Sequence, residues 1–96
     1  MSYLRRRQTA ILTRMAQVQL VLSDVFSRVV KQHREAKKLS RAALAERSGL
    51  HQTYVGLLER GERSPNLDTA KAIAGALGVS LGKLITEAER MQHRRH

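Results

Sequence analysis

The sequence predicts an all-α fold: five domain helices, an additional N-terminal helix and no strand. Three observations carry this. From Leu39 to Gly61 the chain reads as two short helices broken by one tight turn at Gly49. Leu67, Ala70, Ile73, Ala74 and Leu77 then recur at helical spacing and form one stripe. Near the start, Ile11, Met15, Val18, Leu22, Val25 and Val29 alternate steps of four and three, a heptad seam with no glycine or proline in it.

Taken in order, Met1 to Thr9 holds Arg5, Arg6 and Arg7 and no acidic residue, so residues 1–22 read as a basic arm leading into a helix. Ser23 is the one break in the seam, because a serine there can cap a new helix. Two helices meeting near Leu22 or Ser23 are expected, with a single long helix as the alternative. Val25 to Lys38 forms the first domain helix, with Phe26, Val29, Val30 and His33 inward and Lys31, Arg34, Lys37 and Lys38 making it basic. Ser40 caps the next helix, whose inward residues are Leu44 and Ala45. Gly49 ends it in a left-handed conformation that glycine adopts cheaply, and Leu50 plugs the turn. The following helix runs from about His51 to Arg60 and stops at Gly61. Val55 and Leu58 face inward; Thr53, Gly56, Leu57 and Arg60 form its outward stripe. Residues 61–66 are a loop with the chain's single proline. Asn66 caps the helix of the Leu67 stripe, Gly78 ends it, and Ser80 caps a last helix carrying Leu81, Leu84 and Ile85. Glu87 to His96 turns polar and basic and is expected to fray. The expected organisation is an arm and helix over 1–22, a domain over 23–88 and a basic tail over 89–96.

Composition bounds what such a chain can do. Its 96 residues suit one domain. Hydrophobic residues make up 42% but aromatic ones only 3%, so aliphatic and alanine packing must build the core. A core of that size is marginal, and dimerisation would add stability. Without cysteine there are no disulfides, thiolate metal sites or thiol nucleophiles. No apolar run reaches the ~20 residues of a membrane span, and Gln8, Thr9 and Arg14 spoil the start as a signal peptide. A cytoplasmic, nucleoid-associated location is therefore expected, with no membrane contact. The formal charge is +10. Between Ser40 and Val79, Arg41, Arg47, Arg60, Arg63 and Lys71 face Glu46, Glu59, Glu62 and Asp68, so most of the surplus lies in the flanks. Strong basicity beside two helices joined by a glycine turn points to nucleic acid, because that arrangement lays its second helix in the major groove.

At these residues a family resemblance appears. The stretch from Leu39-Ser40 to Gly61 resembles the helix-turn-helix of Cro/C1-type (XRE) DNA-binding domains, and the match continues through Arg63-Ser64-Pro65-Asn66-Leu67 and Ala74-Gly75-Ala76-Leu77-Gly78-Val79-Ser80. The strings Gln52-Thr53-Tyr54-Val55 and Leu58-Glu59-Arg60-Gly61 are similar to those of restriction–modification controller proteins. The resemblance covers roughly Val25 to Ile85 and implies a five-helix, lambda-repressor-like domain. It also implies that Arg34 pairs with Glu59. Two positions depart from the family pattern: Leu57 replaces a polar residue and Arg41 stands where glutamine is frequent.

The nucleic-acid reading assigns roles by position. Gln52, Thr53 and Leu57 are the expected base contacts, Gln52 through a bidentate pair with adenine N6 and N7. Arg41, His51, Tyr54, Arg60 and Arg63 are the expected phosphate contacts. The function expected is a sequence-specific transcriptional repressor or autoregulator that binds double-stranded DNA as a homodimer. Ile11, Met15, Val18 and Leu22 are the expected dimer surface, with Leu81, Leu84 and Ile85 as the competing one. The alternative is an antitoxin-type or other protein-interaction module that also binds DNA, with residues 1–22 holding a protein partner. A third reading is non-specific nucleic-acid or anionic-membrane binding through the basic N-terminal helix. No catalytic constellation, cofactor or metal site is expected: His93 and His96 lack a third ligand, and the carboxylates are scattered.

Overall fold

With one phenylalanine and no tryptophan, branched aliphatics and alanines have to fill the interior. The computed structural model describes residues 22–94 and places five helices there. They are α1 (22–36), α2 (Arg41–Ser48), α3 (Gln52–Glu59), α4 (Leu67–Leu77) and α5 (Leu81–Arg94). α2 packs on both α3 and α4, and α4 packs on α5. Val25, Val29 and Val30 of α1, Leu44 of α2, Val55 and Leu58 of α3, Ile73 and Leu77 of α4 and Leu84 and Ala88 of α5 form one buried cluster. Phe26 is its single aromatic member. Ala45, Ala70 and Ala74 are buried too, and their small size lets the helix backbones approach.

The helix ends follow from local chemistry. Ser40 Oγ accepts from Ala43 N at 3.0 Å, Asn66 Oδ1 from Thr69 N at 2.8 Å and Ser80 Oγ from Lys83 N at 3.0 Å. Each bond satisfies an amide that the first helical turn leaves open. Gly49 and Gly78 close α2 and α4 with φ of 72° and 73°. Lys38 closes α1 in the same left-handed region, φ 58°, without being glycine. That costs about 1–2 kcal/mol, offset by bonds from Lys38 N to Glu35 O and from Leu39 N to Arg34 O.

Four expectations need correction. Leu67 was placed in the buried stripe, yet it is 77% exposed: as the first residue of α4 it sits before the helix turns its apolar face to the core. Leu84 was a dimer candidate, yet it is fully buried among the core residues and has no surface to offer. Ser23 is not a cap, because the chain is already helical at Leu22; its carbonyl accepts from Ser27 Oγ and its hydroxyl from Ser64 Oγ. Finally, α5 continues through Arg94 where fraying from Glu87 was expected. Ala88 is buried, Met91 packs on the core and Glu87 pairs with His33 of α1, Nε2 to Oε2 2.7 Å. The boundary drawn between 88 and 89 thus falls inside α5, and that between 22 and 23 inside α1. Of the seam residues, Ile11, Met15 and Val18 lie outside the described residues, whereas Leu22 is 36% exposed.

Candidate nucleic-acid interface

The turn between α2 and α3 is the first component. Leu50 N donates to Ala45 O at 2.8 Å and Gly49 N to Glu46 O at 3.3 Å, which closes α2 in the double-bonded manner of a left-handed helix end. Leu50 packs against the core. His51 holds the N-cap position of α3 in extended conformation, and its side chain makes no capping bond. The first amides of α3 are therefore left open beside an exposed imidazole, an arrangement that suits anions.

From that start, Gln52 and Thr53 are exposed, Tyr54 is half-buried with its side chain against the core, and Val55 and Leu58 are buried. Leu57 is only half-exposed. Gly56 departs from the expected outward stripe, since it is buried. The cause is Arg60, whose Nη1 lies 3.3 Å from where a Cβ on Gly56 would stand.

A second component fixes the angle of α3. Glu59, at the end of α3, is 1% exposed in its side chain. Arg34 of α1 grips it twice, Nε to Oε2 at 2.6 Å and Nη2 to Oε1 at 3.0 Å, and donates a third bond from Nη1 to Leu39 O at 2.7 Å. Arg41 of α2 adds Nε to Oε1 at 3.2 Å. Three helices thus meet on one carboxylate. Donating to the Glu59 carboxylate holds the Arg34 guanidinium above its already high pKa, outweighing the opposing effect of burial. No buried side-chain polar atom among the described residues lacks a partner.

The expected phosphate contacts are placed unevenly. Arg41 is 44% exposed but spends Nε on Glu59. Arg60 is exposed and spends Nε on Glu62 Oε2 at 2.6 Å. Arg63 and His51 are exposed near the two ends of α3. Among the dimer candidates, Leu81 and Ile85 are half-buried against the core. Reading the sequence missed Arg41–Glu59 and His33–Glu87, which join residues 18 and 54 positions apart and carry no local signal. It also missed Arg60–Glu62, for which the two-residue spacing was a usable signal. Among the described residues no helix is long and apolar enough to cross a membrane, and no group of three His, Cys, Asp or Glu side chains is placed to hold a metal ion.

Two helices joined at a left-handed glycine, the second braced from behind and exposed in front, define a helix-turn-helix domain. The helix-turn-helix family matches residues 30–84, and the chain belongs to that family, in its Cro/C1-type branch of DNA-binding transcription regulators, which are not enzymes. It is similar to the control protein C.SmaI of Serratia marcescens, 42% identical over 68% of this chain and 77% of that protein. It is also 36% identical to the immunity repressor protein of Bacillus phage phi105, over 60% of this chain and only 40% of the repressor. Among solved structures it resembles the restriction–modification controller protein C.AhdI from Aeromonas hydrophila, with TM-score 0.63 and 37% identity over 65% of this chain and 94% of that one.

Proposed function

We propose that this chain binds double-stranded DNA sequence-specifically as a homodimer, with α3 in the major groove, and acts as a transcriptional repressor or autoregulator. The observation that carries this is the mounting of α3. Its outer side is free at Gln52 and Thr53, while Glu59 behind it is locked by arginines from two other helices. A reading helix must hold its side chains to fractions of an ångström, and a buried three-helix ion cluster supplies that rigidity. The likeness to a control protein and to an immunity repressor supports the regulatory sense.

In this reading Gln52 pairs with adenine, and Thr53 and Leu57 meet thymine methyl groups or base edges. Arg41, His51, Tyr54 and Arg63 hold phosphates around α3. Two copies are needed to present two reading helices one DNA turn apart, ~34–36 Å. Leu22, at the exposed edge of α1, and the half-buried Leu81 and Ile85 of α5 are the described surfaces for that contact.

Selection of bound duplexes from a random pool tests the proposal. Two-fold symmetric sites, with half-site centres separated by about 10–10.5 base pairs or a multiple, are the expected outcome. A pool that enriches no sequence would refute it.

A further inference from the structure

Arg60 closes the stripe that begins at Thr53, and its side chain does not project beyond the end of α3. Long side chains on a helix lean back toward its N-terminus. Arg60 Nη1 lies one turn earlier, 3.3 Å from the Cβ position of Gly56, and Gly56 is buried beneath it. Any side chain at position 56 would compete for that place. Glu62 holds the guanidinium from the other side through Nε, at 2.6 Å. The Arg60 side chain is 54% exposed and its bond to Glu62 uses Nε, so Nη1 and Nη2 remain available to a ligand. Two parallel N–H donors on a rigid plane match guanine O6 and N7, the commonest bidentate contact in the major groove.

We propose that Arg60 is a base-reading residue selective for guanine, laid along α3 over Gly56 and positioned by Glu62. The assignment rests on the regulator reading above and moves Arg60 from the phosphate contacts to the readers. Glu62 has a second effect. A carboxylate at this edge repels phosphates, so it weakens binding to any duplex that offers Arg60 no guanine.

The test is duplex selection with the full chain, together with affinity for a scrambled duplex across a salt series. Arg60→Ala should lose guanine preference at one position per half-site by about 5- to 140-fold, a bidentate pair's worth of discrimination. Arg60→Lys, which keeps the charge but not the fork, should lose that preference while retaining the salt dependence. Glu62→Gln should weaken preference at the same position and tighten binding to the scrambled duplex, a split that a purely structural role would not produce. Gly56→Ala should melt at or above the wild-type temperature, since alanine favours the helix and the flexible guanidinium tip need give by only a few tenths of an ångström. If Arg60→Ala weakens all sequences equally with the profile intact, or Arg60→Lys keeps the full preference, Arg60 is a phosphate clamp and the assignment falls alone. A wild-type protein that enriches no sequence overturns the regulator reading and this one with it.

Discussion

Removing Arg34 should cost the fold far more than removing Arg41, although both bind the same carboxylate. The Arg34 side chain is 11% exposed and that of Glu59 1%, whereas that of Arg41 is 44% exposed. Arg34→Ala would leave the Glu59 carboxylate buried with a single partner at 3.2 Å and strip the donor from Leu39 O. Breaking a buried pair from one side costs about 3–5 kcal/mol, and the remaining Arg41 bond puts the expectation near the lower end. Arg41→Ala removes one long bond from a half-exposed guanidinium, which costs about 0–1 kcal/mol. A domain of this size has only about 4–11 kcal/mol in total. At about 4–8 °C per kcal/mol, Arg34→Ala should lower the melting temperature by roughly 12–24 °C and Arg41→Ala by no more than about 8 °C. Thermal and urea unfolding of both variants, with a double-mutant cycle on Arg34 and Glu59, measures this. Equal losses for the two arginines, or a coupling near zero, would refute the lock. The sign with pH is also set. The Arg34 pKa is raised by Glu59, so the stability it supplies is present at neutral pH and, on the alkaline side, is lost as pH climbs through the raised value.

Other outcomes follow from single positions. Gly49→Ala should destabilise by about 1–2 kcal/mol, because φ is +72° although nothing stands within 4 Å of the added methyl; chemical denaturation would read it. Leu84→Ala should cost about 2–5 kcal/mol in the same assay, while Leu67→Ser, at a residue 77% exposed, should stay within about 0.5 kcal/mol of wild type. Gln52→Ala should weaken binding to the selected operator by about 1–3 kcal/mol and relax one base position per half-site; an unchanged preference profile would remove Gln52 from the readers.

What the sequence disclosed depended on how local the cause was. Ser40, Gly49, Asn66, Gly78 and Ser80 act on amides and carbonyls within a few residues, so the ends of α2 and α4 and the start of α5 were legible. Leu67 was misread because periodicity alone does not say where a helix first meets the core. Gly56 was misread because a helical wheel carries no side-chain length: its neighbour four residues on is long enough to fold back over it. The extension of α5 was present in the spacing of Leu81, Leu84, Ala88 and Met91 but was outweighed by the polar residues between them. The resemblance implied the Arg34–Glu59 pair. The recruitment of Arg41 was illegible, since it depends on how closely α2 crosses α3.

The central claim is that α3 enters the major groove and reads base edges there. Methylation interference on the selected operator tests it most directly, because guanine N7 lies in the major groove and adenine N3 in the minor. Methylation at N7 of half-site guanines should block binding, while methylation at adenine N3 within the same half-sites should leave it intact. Interference confined to adenine N3, or no interference at either atom, would contradict the account.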